Sequence, residues 1–398
     1  MSIKKLIKSH RFRHFYESLE KLSDRRVKGR IKHRMSDCLI IIILAMLSGC
    51  NIYREYIQFA KKHESKLRKI LLLNNGIPSH DTLERIMHTV RHSELEKIIV
   101  KLIMNLINYP TLVALDGKYI RATRDSIKEK ISAMDIVTLY DVINKVPLIS
   151  KKVTSGNIKK GGEQGAIEAL LKKYHHLYPK RKLIISIDAI GANQHITKLC
   201  SILGYHFVIG IKREEFDGLA GLIKDDFYTE LTNPTSRITK RILHSSINHG
   251  RREKRVFYMI NDTSYIAKAH QKLWRGIKAI GMMKSEILNI KSNVVTTQDR
   301  FFITSDIDID TFVNVKRKHW NIESFHYILD NSFKEDRCRS KKGSSPINLN
   351  LIRKFVYVII QLSRQGNSFD EARSENRYLS PRELLYKILF LKSIKSVQ

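Results

Sequence analysis

The chain of 398 residues contains few cysteines, prolines and glycines, with 4, 7 and 18 of them respectively. The cysteines, at positions 38, 50, 200 and 338, form no CxxC pair and lie in no zinc-site spacing, so we expect reduced, mostly buried thiols and no disulfide framework. With 42% hydrophobic residues and no low-complexity tract, the composition indicates a folded globular protein.

The sequence also lacks a long hydrophobic run. The longest, CLIIIILAMLS at Cys38–Ser48, is shorter than the roughly 20 residues that a membrane-spanning helix needs, so it predicts a buried helix. The basic first residues lack the apolar core and cleavage site of a secretory signal. We therefore expect no membrane association and a cytoplasmic, nucleoid-associated location.

Positive charge is the feature that the chain has in excess. It carries 72 Lys and Arg residues against 39 Asp and Glu residues, a formal net charge of +33. This exceeds the roughly 2–8 units that solubility needs, and it favours a polyanionic partner, above all nucleic acid. The basic first 34 residues suit an arm lying along DNA phosphates, although a merely solvated basic helix has the same pattern.

The apolar periodicity predicts a mixed α/β protein with an all-helical N-terminal region. Ser36 and Ser79 are candidate helix caps in that region. Strand patterns begin near Tyr109 and alternate with helices up to Lys212, a polar and largely β stretch follows, and the end is helical. We predict a helical N-terminal DNA-binding domain at 1–108, a first part of the catalytic core at 109–212, an inserted β-rich subdomain at 213–310, and a core helix with a helical tail at 311–398.

Two aspartates follow strands that are otherwise apolar. Asp116 closes the strand LVALD and Asp188 closes KLIISID. Ligands gather beyond strand ends in α/β sheets, and two neighbouring carboxylates repel each other unless a divalent cation lies between them. Taken singly, either residue also suits a turn or helix cap.

The third acid is Glu323, in the amphipathic pattern Thr311–Phe333. Helical spacing puts Glu323 on one face with Lys316, Trp320, Tyr327 and Asp330. A lone glutamate on such a helix is usually solvated, so the combination with the two aspartates is what suggests a site.

Four sequence blocks carry a resemblance to a known family. They are GRIKHRMSDCLIIIILAMLSG with GIPSHDTLERI, ALDGKYIR around Asp116, IISIDAIGANQHI around Asp188, and HWNIESFHYILDNSFKED around Glu323. In these blocks the chain resembles the DDE transposases of bacterial insertion sequences, specifically the H-repeat-associated protein family. The resemblance implies a ribonuclease H-like mixed sheet with an inserted β subdomain, and it implies that Asp116, Asp188 and Glu323 are catalytic and bind two Mg²⁺ or Mn²⁺ ions.

The activity implied is cleavage of DNA at the element ends and strand transfer. The partners would be double-stranded DNA, as terminal inverted repeats and as target, and a second copy of the chain in the DNA complex. Basic and aromatic groups near the acids are expected to contact DNA, and ordinary surface cations have the same pattern. These residues are Lys118, Arg121, Arg251, Arg252, Arg255, Lys316 and Trp320.

Two other functions fit the same residues. A ribonuclease H-like DNA nuclease would share the three carboxylates without joining ends, and a catalytically silent DNA-binding protein derived from a transposase would retain only the basic surface. Inverted repeats and a target duplication in the flanking DNA would favour the transposase. His319 and His326 flank Glu323, but we expect them to pack or contact DNA, since Mg²⁺ prefers oxygen ligands.

Overall fold

The structure is a computed structural model, and it describes most of the chain. The described residues are 2–123, 134–153, 162–179, 182–189, 193–211, 218–233, 237–244, 250–263, 266 and 272–391.

Seven helices precede the first strand. The apolar run forms α3, whose residues are all buried, which confirms the prediction of a core helix. Ser79 caps α6 by accepting a hydrogen bond from Thr82 N–H, as predicted. The expectation for Ser36 is wrong, because α3 begins one residue earlier and Ser36 is buried within its first turn. The helices are α1 (Ile3–Lys8), α2 (His10–Glu20), α3 (Met35–Leu47), α4 (Tyr53–Lys62), α5 (Glu64–Leu67), α6 (His80–Thr89) and α7 (His92–Leu106).

The described strands form one mixed sheet in the order β3-β2-β1-β4-β5-β9-β8-β7-β6. Strands β1, β4 and β5 run parallel to one another, and the other neighbouring pairs are antiparallel. The strands are β1 (Leu112–Ile120), β2 (Met134–Asp141), β3 (Val146–Lys152), β4 (Ile184–Ile187), β5 (His206–Ile211), β6 (Ile238–His244), β7 (Arg251–Ile260), β8 (Ala279–Asn289) and β9 (Val294–Thr304).

Further helices lie between and after the strands. Helices α8 and α9 lie in the region where strands and helices were predicted to alternate, and α11 forms at the predicted pattern Thr311–Phe333. Helix α10 lies in the stretch that was expected to be largely β, and the helical tail contains three described α-helices. The helices are α8 (Glu163–Leu177), α9 (Gln194–Leu203), α10 (Leu219–Thr232), α11 (Ile309–Asn331), α12 (Ser345–Ser363), α13 (Phe369–Glu375) and α14 (Pro381–Phe390).

Helix α11 lies across one face of the sheet and positions the candidate site. Its residues Phe312, Val315 and Ile322 are buried, as the periodicity predicted. Phe312 packs edge-on against Phe257 of β7 and Phe302 of β9. The same hydrophobic cluster continues into the N-terminal helices, so the helical and sheet regions share one core. The domain boundaries stay a prediction.

No helix in the described part of the chain combines the length and apolarity needed to cross a membrane.

Candidate active site

The register of β1 and β4 brings the two aspartates to one edge of the sheet. The strands pair in parallel from Leu112 with Ile184 to Leu115 with Ile187, and Asp116 and Asp188 are the next residues on each strand path. Neighbouring strands lie about 4.8 Å apart, so the two carboxylates start from adjacent backbone positions. Strand β1 continues to Ile120 through its pairing with β2, so Asp116 closes the parallel segment rather than the strand.

Backbone amides hold both aspartate side chains. The Gly117 N–H donates to Asp116 Oδ1 at 3.0 Å, and the Ala189 N–H donates to Asp188 Oδ1 at 2.6 Å. Each hydrogen bond leaves the second carboxylate oxygen available to another ligand.

Helix α11 brings Glu323 to the same edge. Glu323 and Asp188 line one cavity of about 560 Å³, together with Arg300 of β9. Burial raises the pKa of Glu323 above its usual range, and the charges of Asp116 and Asp188 raise it further. One turn along the helix, His326 Nδ1 lies 3.4 Å from Asp116 Oδ2. The three predicted carboxylates, the outer two of which are 207 positions apart in the sequence, therefore face one another across this edge.

The three carboxylates do not form one tight cluster. Among the described residues, only His80, Asp81 and Glu84 form a trio of His, Cys, Asp or Glu side chains whose ligand atoms all lie within 4.8 Å of one another. The ligand atoms of Asp116, Asp188 and Glu323 therefore do not all lie within 4.8 Å of one another.

A fourth acid, Glu163, which the sequence patterns did not indicate, lies at the first position of α8. Burial raises its pKa to about 7, and the charges of Asp135, Asp116 and Asp188 contribute to this increase. A Cβ atom at position 117 would lie 2.9 Å from Glu163 Oε1, so Gly117 is what allows this carboxylate to approach β1. The one signal in the sequence was an acidic residue at the start of an apolar helix.

A second acidic group lies at and just beyond the end of α11, where Lys118 of β1 and Arg353 supply cations. Lys118 Nζ lies 2.6 Å from Asp330 Oδ1, 3.3 Å from Glu335 Oε2 and 3.7 Å from Asp336 Oδ1. Only 9% of the Lys118 side chain is exposed, so it lies inside the protein and not on the surface, where the sequence analysis expected a phosphate contact. Arg353 of α12 also contacts Glu335, at 3.3 Å.

One family model and several known proteins are similar in sequence to this chain. A sequence-family model described as "DDE_Tnp_1-associated" matches residues 16–103. "Putative transposase YncI" of Escherichia coli O157:H7 is 27% identical over 347 residues, which are 85% of each chain. "H repeat-associated putative transposase YhhI" of Escherichia coli strain K12 is 23% identical over 340 residues, 83% of this chain and 85% of the relative.

This chain belongs to the H repeat-associated transposase family. A shorter relative, "Inactive transposase YbfQ" of Escherichia coli strain K12, is 33% identical over 64 residues, 16% of this chain and 76% of that protein. A solved structure titled "Cryo-EM structure of piggyBac transposase synaptic complex with hairpin DNA (SNHP)" matches 97% of this chain and 79% of that chain, with a TM-score of 0.44 and 11% identity. A likeness at this TM-score does not establish a shared fold.

In this H repeat-associated chain, the residues predicted to contact DNA fall on two faces of the sheet. The Arg255 guanidinium lies 5.3 Å from the ring of Trp320, which is on α11 and 48% exposed. Because side chains alternate along a strand, Arg251 shares the α11-facing side with Arg255, and Arg252 points to the opposite side. The structure therefore separates two arginines that the sequence analysis grouped together.

The other predicted cations differ in exposure. Arg121 is exposed, with its Nε atom 3.6 Å from Asp336 Oδ2. Lys316 is half-buried, with its Nζ atom 4.6 Å from the centre of the Phe302 ring. Burial lowers the pKa of Lys316 to about 8, while the charges of Asp188 and Glu323 act in the opposite direction. Lys316 therefore lies close enough to Asp188 and Glu323 for their charges to affect its pKa.

The two histidines on α11 pack inside the protein. His319 is buried, and burial lowers its pKa well below the usual range, so it remains a neutral core residue. His326 is largely buried beside Asp116. The contact between the His326 ring and the Asp116 carboxylate is sufficient to explain the position of His326, so no metal-ligand role is needed.

Proposed function

We propose that this chain is an insertion-sequence transposase that cleaves DNA at the ends of its element and joins those ends to target DNA. The observation that carries the proposal is the convergence of Asp116, Asp188 and Glu323 at one edge of the sheet. The names of the relatives, which are called transposases, support the same activity.

The donor set suits hard divalent cations. All three side chains offer carboxylate oxygens, the ligand type that Mg²⁺ and Mn²⁺ prefer. Burial, and then the charges of Asp116 and Asp188, raise the pKa of Glu323, and bound cations would relieve the repulsion among the three carboxylates. When bound, two ions would activate the attacking oxygen and stabilise the charge that develops at the scissile phosphate.

The protein's own contribution is to position these ligands and the phosphate. Hydrogen bonds from Gly117 and Ala189 fix the aspartate side chains, and α11 holds Glu323 through its buried aromatic contacts. Arg300, which lines the cavity with Asp188 and Glu323, provides a cation for a DNA phosphate.

We propose that bound DNA extends from the three acids along the side of the sheet that faces α11. Arg300 shares this side with Arg255 and Arg251 through the register of β7, β8 and β9, and Trp320 is exposed beside Arg255. This surface offers Arg251, Arg300 and the exposed Trp320 ring to the backbone and bases of DNA, while Glu253, at 2.7 Å, neutralises Arg255. Joining two ends also requires two bound ends, and we propose a homodimer in the DNA complex.

A ribonuclease H-like core is part of the proposal. Strands β3-β2-β1-β4-β5 form its sheet, with β1 and β4 carrying the two aspartates, and α11 supplies the glutamate. The segment 213–310 would then be the insertion, and 1–108 the N-terminal DNA-binding domain.

The test is DNA cleavage and joining by the full chain. The substrate is labelled duplex carrying the inverted repeat of the flanking element, with Mg²⁺ or Mn²⁺ and a supercoiled target plasmid. Glu323→Gln removes one ligand charge and should reduce cleavage by roughly 10³-fold or more while DNA binding persists.

The matched control is Asp310→Asn, which removes the same charge from the same helix. Asp310 is 70% exposed and pairs with Arg241, away from the acids, so this variant should retain activity. Equal cleavage by wild type and Glu323→Gln would overturn the site assignment. Cleavage without joining would favour the nuclease, and binding without cleavage by the wild type would favour a silent DNA-binding protein.

A further inference from the structure

A second basic surface lies in the N-terminal helical region. A groove with a volume of about 650 Å³ separates the segment 25–33 from helix α6. We call it the N-terminal groove, and no Asp or Glu is among the residues that line it. Its lining residues are Arg25, Arg26, Val27, Arg30, Lys32, His33, Ile77, Ser79, Thr82, Arg85 and Thr89.

Most cations of the N-terminal groove are exposed and form no ion pair with the described residues. Arg26 is neutralised by Asp24 at 2.6 Å. Four other cations have no carboxylate within 4.0 Å in the part of the chain that the structure describes, and they are Arg25, Arg30, Lys32 and Arg85. Burial lowers the pKa of His33, and the charges of Arg26 and Lys32 lower it further, as expected where positive potential accumulates.

The wall formed by segment 25–33 is held in place before any ligand binds. Glu94 of α7 accepts hydrogen bonds from the Ser23 N–H at 2.8 Å and the Ser23 hydroxyl at 3.0 Å. Arg26 donates to the His33 carbonyl at 2.9 Å, and Asn75 donates to the Lys32 carbonyl at 2.6 Å. A cationic groove that is already formed requires less ordering when it binds an anion.

We propose that the N-terminal groove binds the backbone phosphates of duplex DNA at a site separate from the three acids. The inference rests on the proposed function in one respect, which is that DNA is the partner. The lining includes no Phe, Tyr or Trp on which a base could stack, and this favours contact with a backbone over capture of a nucleotide. The hydroxyls of Ser79, Thr82 and Thr89 add donors for phosphate oxygens.

The experiment measures binding of a fluorescent duplex of about 30 base pairs to the full chain in EDTA, by anisotropy over a series of salt concentrations. Arg30→Ala combined with Arg85→Ala, one residue from each wall, should weaken binding about tenfold and reduce the slope of log K against log[salt] by about two. The matched control is Lys62→Ala combined with Lys69→Ala, two exposed cations outside the groove, which should change both quantities much less.

Further variants and a competitor identify the type of contact. Arg30→Lys combined with Arg85→Lys retains the charges and should restore most of the affinity. Inorganic phosphate should compete only weakly, because it lacks the repeated charges of a backbone. Equal weakening by the groove and control pairs would overturn the proposal, as would tight binding of inorganic phosphate with unchanged DNA affinity.

The outcome is independent of catalysis, because EDTA prevents metal-dependent cleavage. If the wild type never cleaves DNA but the groove variant binds DNA more weakly than the wild type, the groove proposal is supported and the proposed transposase activity is refuted. If the wild type cleaves DNA and the groove variant binds DNA with normal affinity, the transposase activity is supported and the groove proposal is refuted. Circular dichroism and thermal unfolding of both pairs confirm that the variants are folded.

Discussion

Two groups of acids lie where α11 packs against β1, one around Glu323 and one around the end of the helix, and they differ in how their charge is balanced. In the open cluster, which is Asp116, Asp188, Glu323 and Glu163, the pKa values of both glutamates are raised by burial and by the neighbouring acids. In the closed cluster, which is Asp330, Glu335 and Asp336, Lys118 and Arg353 supply the opposite charge. Burial alone would raise the pKa of Glu335, but these two cations lower it below its usual range. Burial raises the pKa of Asp330, and Lys118 acts in the opposite direction, so the contrast with the open cluster rests on Glu335.

The difference separates acids that stabilise the fold from acids that are available to a ligand. The two clusters are also connected through β1 and α11, which contribute residues to both. Asp116 and Lys118 are two residues apart on β1, and Glu323 and Asp330 are two turns apart on α11, so each pair shares a face of its element. The closed cluster thereby fixes α11 against β1 and sets the position of Glu323 relative to Asp116.

The largest expected effect comes from breaking the closed cluster. Glu335→Gln leaves Lys118 and Arg353 buried without their central counter-charge, and breaking a buried pair in this way costs about 3–5 kcal/mol. In the open cluster, Glu323→Gln removes a repelled charge and should leave the stability of the metal-free protein nearly unchanged. Urea unfolding of both variants measures the difference.

Glu168→Gln is the control for this pair of substitutions. Its exposed i,i+4 contact with Lys172 contributes at most about 1 kcal/mol. A similar loss of stability in Glu335→Gln and Glu168→Gln would mean that the closed cluster does not stabilise the fold.

The open cluster was largely predictable from the sequence, because its aspartates follow apolar strands and its glutamate lies in a regular helical pattern. Strand ends and helix faces depend on local periodicity, which a sequence displays directly. The structure brings Asp116, Asp188 and Glu323 to one sheet edge, and their catalytic role stays a prediction.

The closed cluster could not be predicted in this way. Whether Lys118 faces DNA or Asp330 depends on the packing of β1 against the end of α11, which local patterns do not specify. Glu163 was missed for the same reason, since its approach to β1 depends on the absence of a side chain at Gly117. The faces of Arg251 and Arg252 required knowledge of the strand register.

Divalent cations should stabilise the protein through the open cluster. A ligand that binds only the folded state adds about 2.7 kcal/mol when its concentration is 100 times its dissociation constant. We expect Mg²⁺ to raise the thermal unfolding temperature of the wild type and to have much less effect on Glu323→Gln. No change in either protein would contradict a metal site at these acids.

This cation effect should depend on pH in a defined direction. The usual pKa of Glu163 is 4.5 and its folded value is about 7, so the folded metal-free protein retains a proton that the unfolded chain releases between these values. Stability from this group is present below about pH 4.5 and is lost as the pH rises to about 7. Because Mg²⁺ binds the ionised carboxylates, the increase in unfolding temperature should be larger at about pH 8 than at about pH 5.

The exposed trio of His80, Asp81 and Glu84 provides the control for this measurement. His80→Ala combined with Asp81→Ala should leave the stabilisation by Mg²⁺ intact. If that variant loses the effect and Glu323→Gln retains it, the cation binds at the N-terminal trio and the comparison between the two acidic clusters fails.

The smallest effect concerns how DNA approaches the open cluster. Lys118 is ion-paired with Asp330 and Glu335 in the closed cluster. The charge of a DNA phosphate near the open cluster must therefore be balanced by cations on the side of the sheet that faces α11. Arg251 and Arg252 are adjacent in sequence and lie on opposite sides, which makes them a matched pair. We expect Arg251→Ala to weaken binding of element-end DNA by about fivefold to tenfold, or roughly 1 kcal/mol, and Arg252→Ala to have a clearly smaller effect in the same anisotropy assay. The reverse order would place the DNA on the side of the sheet away from α11, where it could not reach Glu323 by the path proposed here.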